Sequence, residues 1–123
     1  MRLKGSTWNE GQETCSDFNK GGLVVMETEG ERSYIKSMIR LASNKFENKW
    51  YIGLKKEGRS WKWTNDIPVT SSHWSNGQPS GQGNFGVMTS DGMWFDEDGT
   101  NPYAIICEYE SDGVCVQPGA DQF

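Results

Sequence analysis

Basic residues are missing from the second half of the chain. None of the twelve lysines and arginines follows Lys62. Residues 1–62 set those twelve against eight acids, a net +4, and residues 63–123 carry nine acids and no base, a net −9. A nucleic-acid reader is basic where it binds. Here the bases are scattered over helices and turns, so they read as solvated faces and no nucleic-acid partner is expected. Histidine is almost absent too, His73 being the single one. No Ser-His-Asp or Cys-His pairing follows from its spacing, so no enzyme is expected and His73 reads as an inert surface residue. Three cysteines, Cys15, Cys107 and Cys115, match no zinc pattern. They allow at most one disulfide within the chain and leave one thiol for solvent or another chain. No run approaches the roughly 20 apolar residues of a membrane span. "MRLKGSTWNE" has no apolar leader core. The expectation is that Met1 is an added start or opens a domain cut from a longer chain.

What is present points to one loop-rich α+β domain. The 123 residues include fifteen glycines, six tryptophans, four tyrosines and five phenylalanines. Thr7-Trp8-Asn9-Glu10 has the spacing of a capping box. Trp8, Gly11, Cys15 and Phe18 then share one helical face, and "NKGG" stops the helix. "LVVM" at 23–26 reads as a short buried strand. Thr28-Glu29-Gly30-Glu31 repeats the cap, with Ile35, Met38, Ile39 and Ala42 as the apolar stripe, Phe46 near its end and a stop at Ser43-Asn44. "WYIGL" at 50–54, "WKW" at 61–63, "VM" at 87–88, "MWF" at 93–95 and "YAIICEY" at 103–109 read as strands. Residues 64–83 have almost no regular signal, and a long irregular segment of this kind is usually functional or mobile. Residues 1–110 form the expected domain, and 111–123 a polar tail with little order. Trp61, Trp63, Trp94 and Trp74 read as core. The glycines at 81, 83 and 86 resemble no phosphate cradle.

The order of "GGLVVM", "WYIGL", "WKWTND", Trp74, "VMTSDGMWFD" and "IICE" resembles the C-type lectin-like domain, over residues 3–110. The resemblance implies a double-looped fold. Two helices flank small antiparallel sheets, and residues 64–83 belong to a long binding excursion. It also implies a Cys15–Cys107 disulfide tying the chain ends, worth about 4–5 kcal/mol in the chain-entropy model. A disulfide implies an oxidising, extracellular setting.

In the sugar-binding members a Glu-Pro-Asn or Gln-Pro-Asp tripeptide, a later Glu and a Trp-Asn-Asp motif hold calcium and sugar. Here Gln78-Pro79-Ser80 matches the tripeptide, and the resemblance implies a cis Pro79. Gly83 stands at the Glu, and Phe95 at the Asn of "WFD", which leaves Asp96 as the one matching carboxylate. Glu97 and Asp98 match no ligand position. Phe85 and Gly99 stand where the family's second cysteine pair lies, so the Phe85 ring is expected to fill part of that volume. Calcium takes six to eight oxygens and its affinity follows their charge. No cofactor is therefore expected. Were a weak calcium site to persist, Asp96 would be its ligand.

The leading expectation is a non-enzymatic, extracellular, calcium-independent recognition module. It would bind a protein or other ligand through residues 71–84 and 91–98. A second reading keeps weak glycan binding through Gln78, Ser80, Asn84 and Asp96. A third is an assembly role in which Cys115 bridges to another chain.

Overall fold

The computed structural model describes the backbone of residues 7–17, 22–42, 49–69, 73–108 and 114–117, and the side chains of these except 40–42 and 114–117. Phe18, Phe46, Ser71, the stops at 19–21 and 43–44, and the side chains of Ala42 and Cys115 lie outside the described set.

Both helices start where their caps predict. α1 spans Trp8–Asp17. The Glu10 amide donates to Thr7 Oγ1 at 3.2 Å, and the Thr7 amide donates back to Glu10 Oε1 at 3.0 Å. α2 spans Glu29–Ala42, with Thr28 and Glu31 in the same reciprocal arrangement at 3.1 and 3.0 Å. Each box satisfies amides that the first turn leaves without a partner.

The strands are β1 (Gly22–Leu23), β2 (Lys49–Glu57), β3 (Ser60–Trp63), β4 (Phe85–Thr89), β5 (Trp94–Glu97), β6 (Ala104–Glu108) and β7 (Val114–Gln117). They form one seven-stranded sheet in the order β1-β6-β2-β4-β5, with β3 on β2 and β7 on β6. The expected separate antiparallel sheets are thus joined into one mixed sheet, because β2 and β6 pair in parallel at Trp50–Ala104 and Tyr51–Ile105. β7 lies inside the segment expected to be a polar tail, and Val114 to Gln117 pair antiparallel with β6. Its apolar signal, Val114-Cys115-Val116, is three residues long, too short to stand out from polar neighbours. The "LVVM" strand is shorter than expected. Only Leu23 joins the ladder, although Val24, Val25 and Met26 are buried as well.

Alternation along the strands divides the core between the two sheet faces. Trp50, Ile52, Leu54, Met88, Trp94, Ala104 and Ile106 pack with Ile35 and Ile39 of α2. Tyr51, Val87, Ile105 and Cys107 pack with Trp8 and Cys15 of α1. Cys15 and Cys107 are disulfide-bonded across 92 residues, as the resemblance implies. Gly53 explains its own presence in "WYIGL". A Cβ there would sit 2.7 Å from the Leu23 carbonyl oxygen and 2.9 Å from that of Val24. Its amide donates to the Val24 carbonyl at 2.7 Å, so the backbone of Leu23 and Val24 lies directly on β2.

Trp63 and Trp94 are fully buried, whereas Trp61 and Trp74 are partly buried against the α2-side core. The edge-to-face pairs Trp61–Trp74, Trp63–Trp94 and Trp74–Trp94, with centroids 4.8, 5.4 and 5.7 Å apart, support the base of the long loop.

Candidate functional site

The loop after β3 is fastened to β5 at two levels. At the first, backbone bonds do the work. The Trp94 amide donates to the His73 carbonyl, and the Ser75 amide donates to the Trp94 carbonyl, both at 2.9 Å. Trp74 bridges Trp94 in parallel sense. A turn closed by the Gln78 amide on the Ser75 carbonyl follows, at 2.9 Å. Gly77 takes φ +82° there, a conformation open to glycine. The Gln78–Pro79 peptide is cis.

At the second level the loop closes around Asp96, which is 8% exposed. Its Oδ1 accepts from the Ser80 amide and the Ser80 hydroxyl, both at 2.8 Å. Its Oδ2 accepts from the Ser80 hydroxyl at 3.0 Å and from the amides of Gly81, Gln82 and Gly83 at 2.9, 3.2 and 3.3 Å. Gln78 completes the ring, its Oε1 accepting from the Asp96 amide at 3.1 Å. Burial works against the charge on Asp96. The bonds from Ser80, Gly81 and Gly83 outweigh it and hold the carboxyl below the usual carboxylate range.

Three of the four loop residues singled out from sequence, Gln78, Ser80 and Asp96, therefore meet. Asn84 does not join them. Its side chain is exposed, and its carbonyl accepts from the Lys56 amide at 2.8 Å. Phe95 packs on the opposite, α1-side face of β5, with Lys49 Nζ 5.8 Å above its ring. Gly83 is locked by packing. A Cβ there would overlap the Glu97 carbonyl group and come within 2.8 Å of the Asp98 amide nitrogen. Among the described residues no group of three or more His, Cys, Asp or Glu side chains is placed to share a metal ion.

Two contacts had no readable signal in the sequence. His73 Nε2 lies 2.9 Å from Glu29 Oε2, so the residue read as inert links the loop base to the first turn of α2. Burial and the Arg32 charge push its pKa below the ordinary histidine value, against the pull of Glu29. Lys49 Nζ pairs with Glu97 Oε2 at 3.0 Å beside the Tyr103 ring.

Phe85 closes the other flank. Its ring stacks on Trp8 with centroids 4.5 Å apart, and a Cβ on Gly99 would come within 2.5 Å of Phe85 Cδ2. The Trp8 amide donates to the Gly99 carbonyl at 3.0 Å. Phe85 thus joins the α1 N-terminus to the β4–β5 edge. The ring is only partly buried, so Phe85→Ala is expected to cost about 2–3 kcal/mol, under the roughly 3–5 kcal/mol of a fully buried phenylalanine. Urea unfolding of the two proteins measures it. A loss below about 0.5 kcal/mol, the scale of ordinary surface substitutions, would deny the ring this role.

The sequence matches the family model described as "Lectin C-type domain" over residues 4–109. It is 30% identical over 113 residues to human lithostathine-1-beta, covering 85% of this chain and 67% of that protein. Against mouse lithostathine-2 the figures are 27% over 112 residues, 85% and 64%. The chain thus spans about two thirds of the length of these relatives. The crystal structure of human lithostathine superposes with a TM-score of 0.78 at 25% identity, covering 88% of this chain and 79% of that one. The carbohydrate-recognition domain of mouse scavenger receptor C-type lectin has the same fold, with a TM-score of 0.74 at 23% identity and coverage of 90% and 87%. The chain belongs to the C-type lectin domain family, as a non-enzymatic recognition module similar to the lithostathines.

Proposed function

We propose that this domain recognises its ligand outside the cell without calcium, through the surface formed by residues 73–84 and 91–98. The observation that carries the reading is the environment of Asp96. Among the described residues every partner of its carboxylate is an N–H or O–H donor, so the positive ends of these dipoles converge where a calcium ion would have to sit. Gln78 Oε1, the other family-matched oxygen, is engaged by the Asp96 amide. Gly83 brings no oxygen on a side chain, and Phe95 faces away. Calcium would need several oxygens freed at once, and the residues present do not fit it. The Cys15–Cys107 disulfide supports an oxidising, extracellular setting.

A calcium titration of the melting temperature tests this. A site saturated at 100 times its dissociation constant adds about 2.7 kcal/mol. The expected shift at one millimolar calcium, against EDTA, is under about 1 °C. A rise of several degrees that disappears in Asp96→Ala would sink the proposal.

The second reading is a glycan ligand, held by polar side chains on the same surface. It is supported by the likeness to a domain named for carbohydrate recognition and by the exposed side chains of Gln82 and Asn84. A glycan array probed with and without calcium separates a glycan from a protein ligand. Binding only with calcium would count against the first reading.

A further inference from the structure

We infer that residues 80–83 form a carboxylate receptor, filled from within the chain by Asp96, and that the same backbone accepts a small carboxylate from solution when the Asp96 side chain is withdrawn. The inference rests on the calcium-free reading of the loop.

Four consecutive amides and one hydroxyl point at the two oxygens of Asp96. Successive amides converging on one point make an anion-binding concavity. Gly81 permits the curvature, with φ +86°. The donors divide between the oxygens as a carboxylate requires. Oδ1 takes the Ser80 amide, Oδ2 takes those of Gly81, Gln82 and Gly83, and the Ser80 hydroxyl lies within 3.0 Å of both. No lysine or arginine is among these partners, so recognition is by neutral dipoles and suits a singly charged, planar group. The amide donors belong to the main chain, so no substitution at 96 removes them, and an incoming carboxylate can gather them again. Ser80, Gly81 and Gln82 are exposed, so solvent reaches the outer wall of the concavity. Asp96 already takes the donors of the concavity, and its own negative charge repels a second anion beside it. The incoming carboxylate must replace Asp96 rather than join it.

The test is Asp96→Ala melted in EDTA, in 200 mM sodium acetate and in sodium chloride of equal ionic strength. Acetate is expected to raise the melting temperature of the variant by about 3 °C or more over chloride. The natural protein is expected to melt alike in both salts, because its own carboxylate occupies the receptor. Equal melting of a folded variant in the two salts overturns the inference. If Asp96→Ala does not fold in chloride, recovery of its far-ultraviolet dichroism in acetate supports the inference, and failure in both salts overturns it. Calcium stabilisation of the natural protein would count against the calcium-free reading, whereas failure of acetate alone counts against the receptor.

Discussion

Replacing Cys15 and Cys107 together with alanine is expected to lower stability by about 4–5 kcal/mol if chain entropy dominates, and by at least about 2 kcal/mol in practice. The bond closes a loop of nearly the whole domain, 92 residues apart in sequence. Freed of it, the unfolded chain gains the conformations that the closed loop excludes. The folded state loses as well, since both sulfurs are fully buried among Trp8, Leu23, Tyr51 and Ile105. A domain with a few kcal/mol in reserve then has a substantial unfolded fraction at body temperature. Urea denaturation of the double variant beside the natural protein measures the loss. An unchanged midpoint would mean that α1 is held to β6 by packing alone.

Gly83→Glu is expected to damage the fold and to leave calcium unbound. On family resemblance the change looks like a repair, because it restores a carboxylate at the missing position. The structure argues the other way. A Cβ at 83 runs into the Glu97 carbonyl group and the Asp98 nitrogen, which are backbone and cannot rotate aside. The loop must lift off β5, and the Gly83 amide then leaves Asp96. Overpacking of this kind costs about 1–3 kcal/mol, more where the backbone must shift. Melting temperatures with and without calcium read both halves of the expectation. A variant as stable as its parent, or one stabilised by millimolar calcium, would contradict it.

The fold was legible where local chemistry decides it. Thr7-Glu10 and Thr28-Glu31 mark the helix starts, and the apolar runs in "WYIGL" and "IICE" mark strands before any pairing is known. The parallel joint between β2 and β6 was not legible, because it brings together segments some fifty residues apart through backbone bonds. β7 was missed for the same reason. Its four residues become a strand only against β6. In the site, Gln78, Ser80 and Asp96 were identified through the family pattern, which implies that they point at an ion. Their actual partners are one another and the amides of 81–83. Amide direction is a property of the backbone path and leaves no trace in residue type. The His73–Glu29 contact spans 44 residues and has no local signature either.

The double fastening of the loop to β5 has a consequence for how such a surface can diversify. Its shape is set by main-chain groups of 73, 75 and 80–83 and by one carboxylate. The side chains of Asn76, Gln82 and Asn84 are exposed and take no part in that fastening. They are replaceable letters on a fixed frame. Exchanges at these three positions alter what the surface reads while leaving its contour intact, so new specificities can be screened there without first re-stabilising the scaffold.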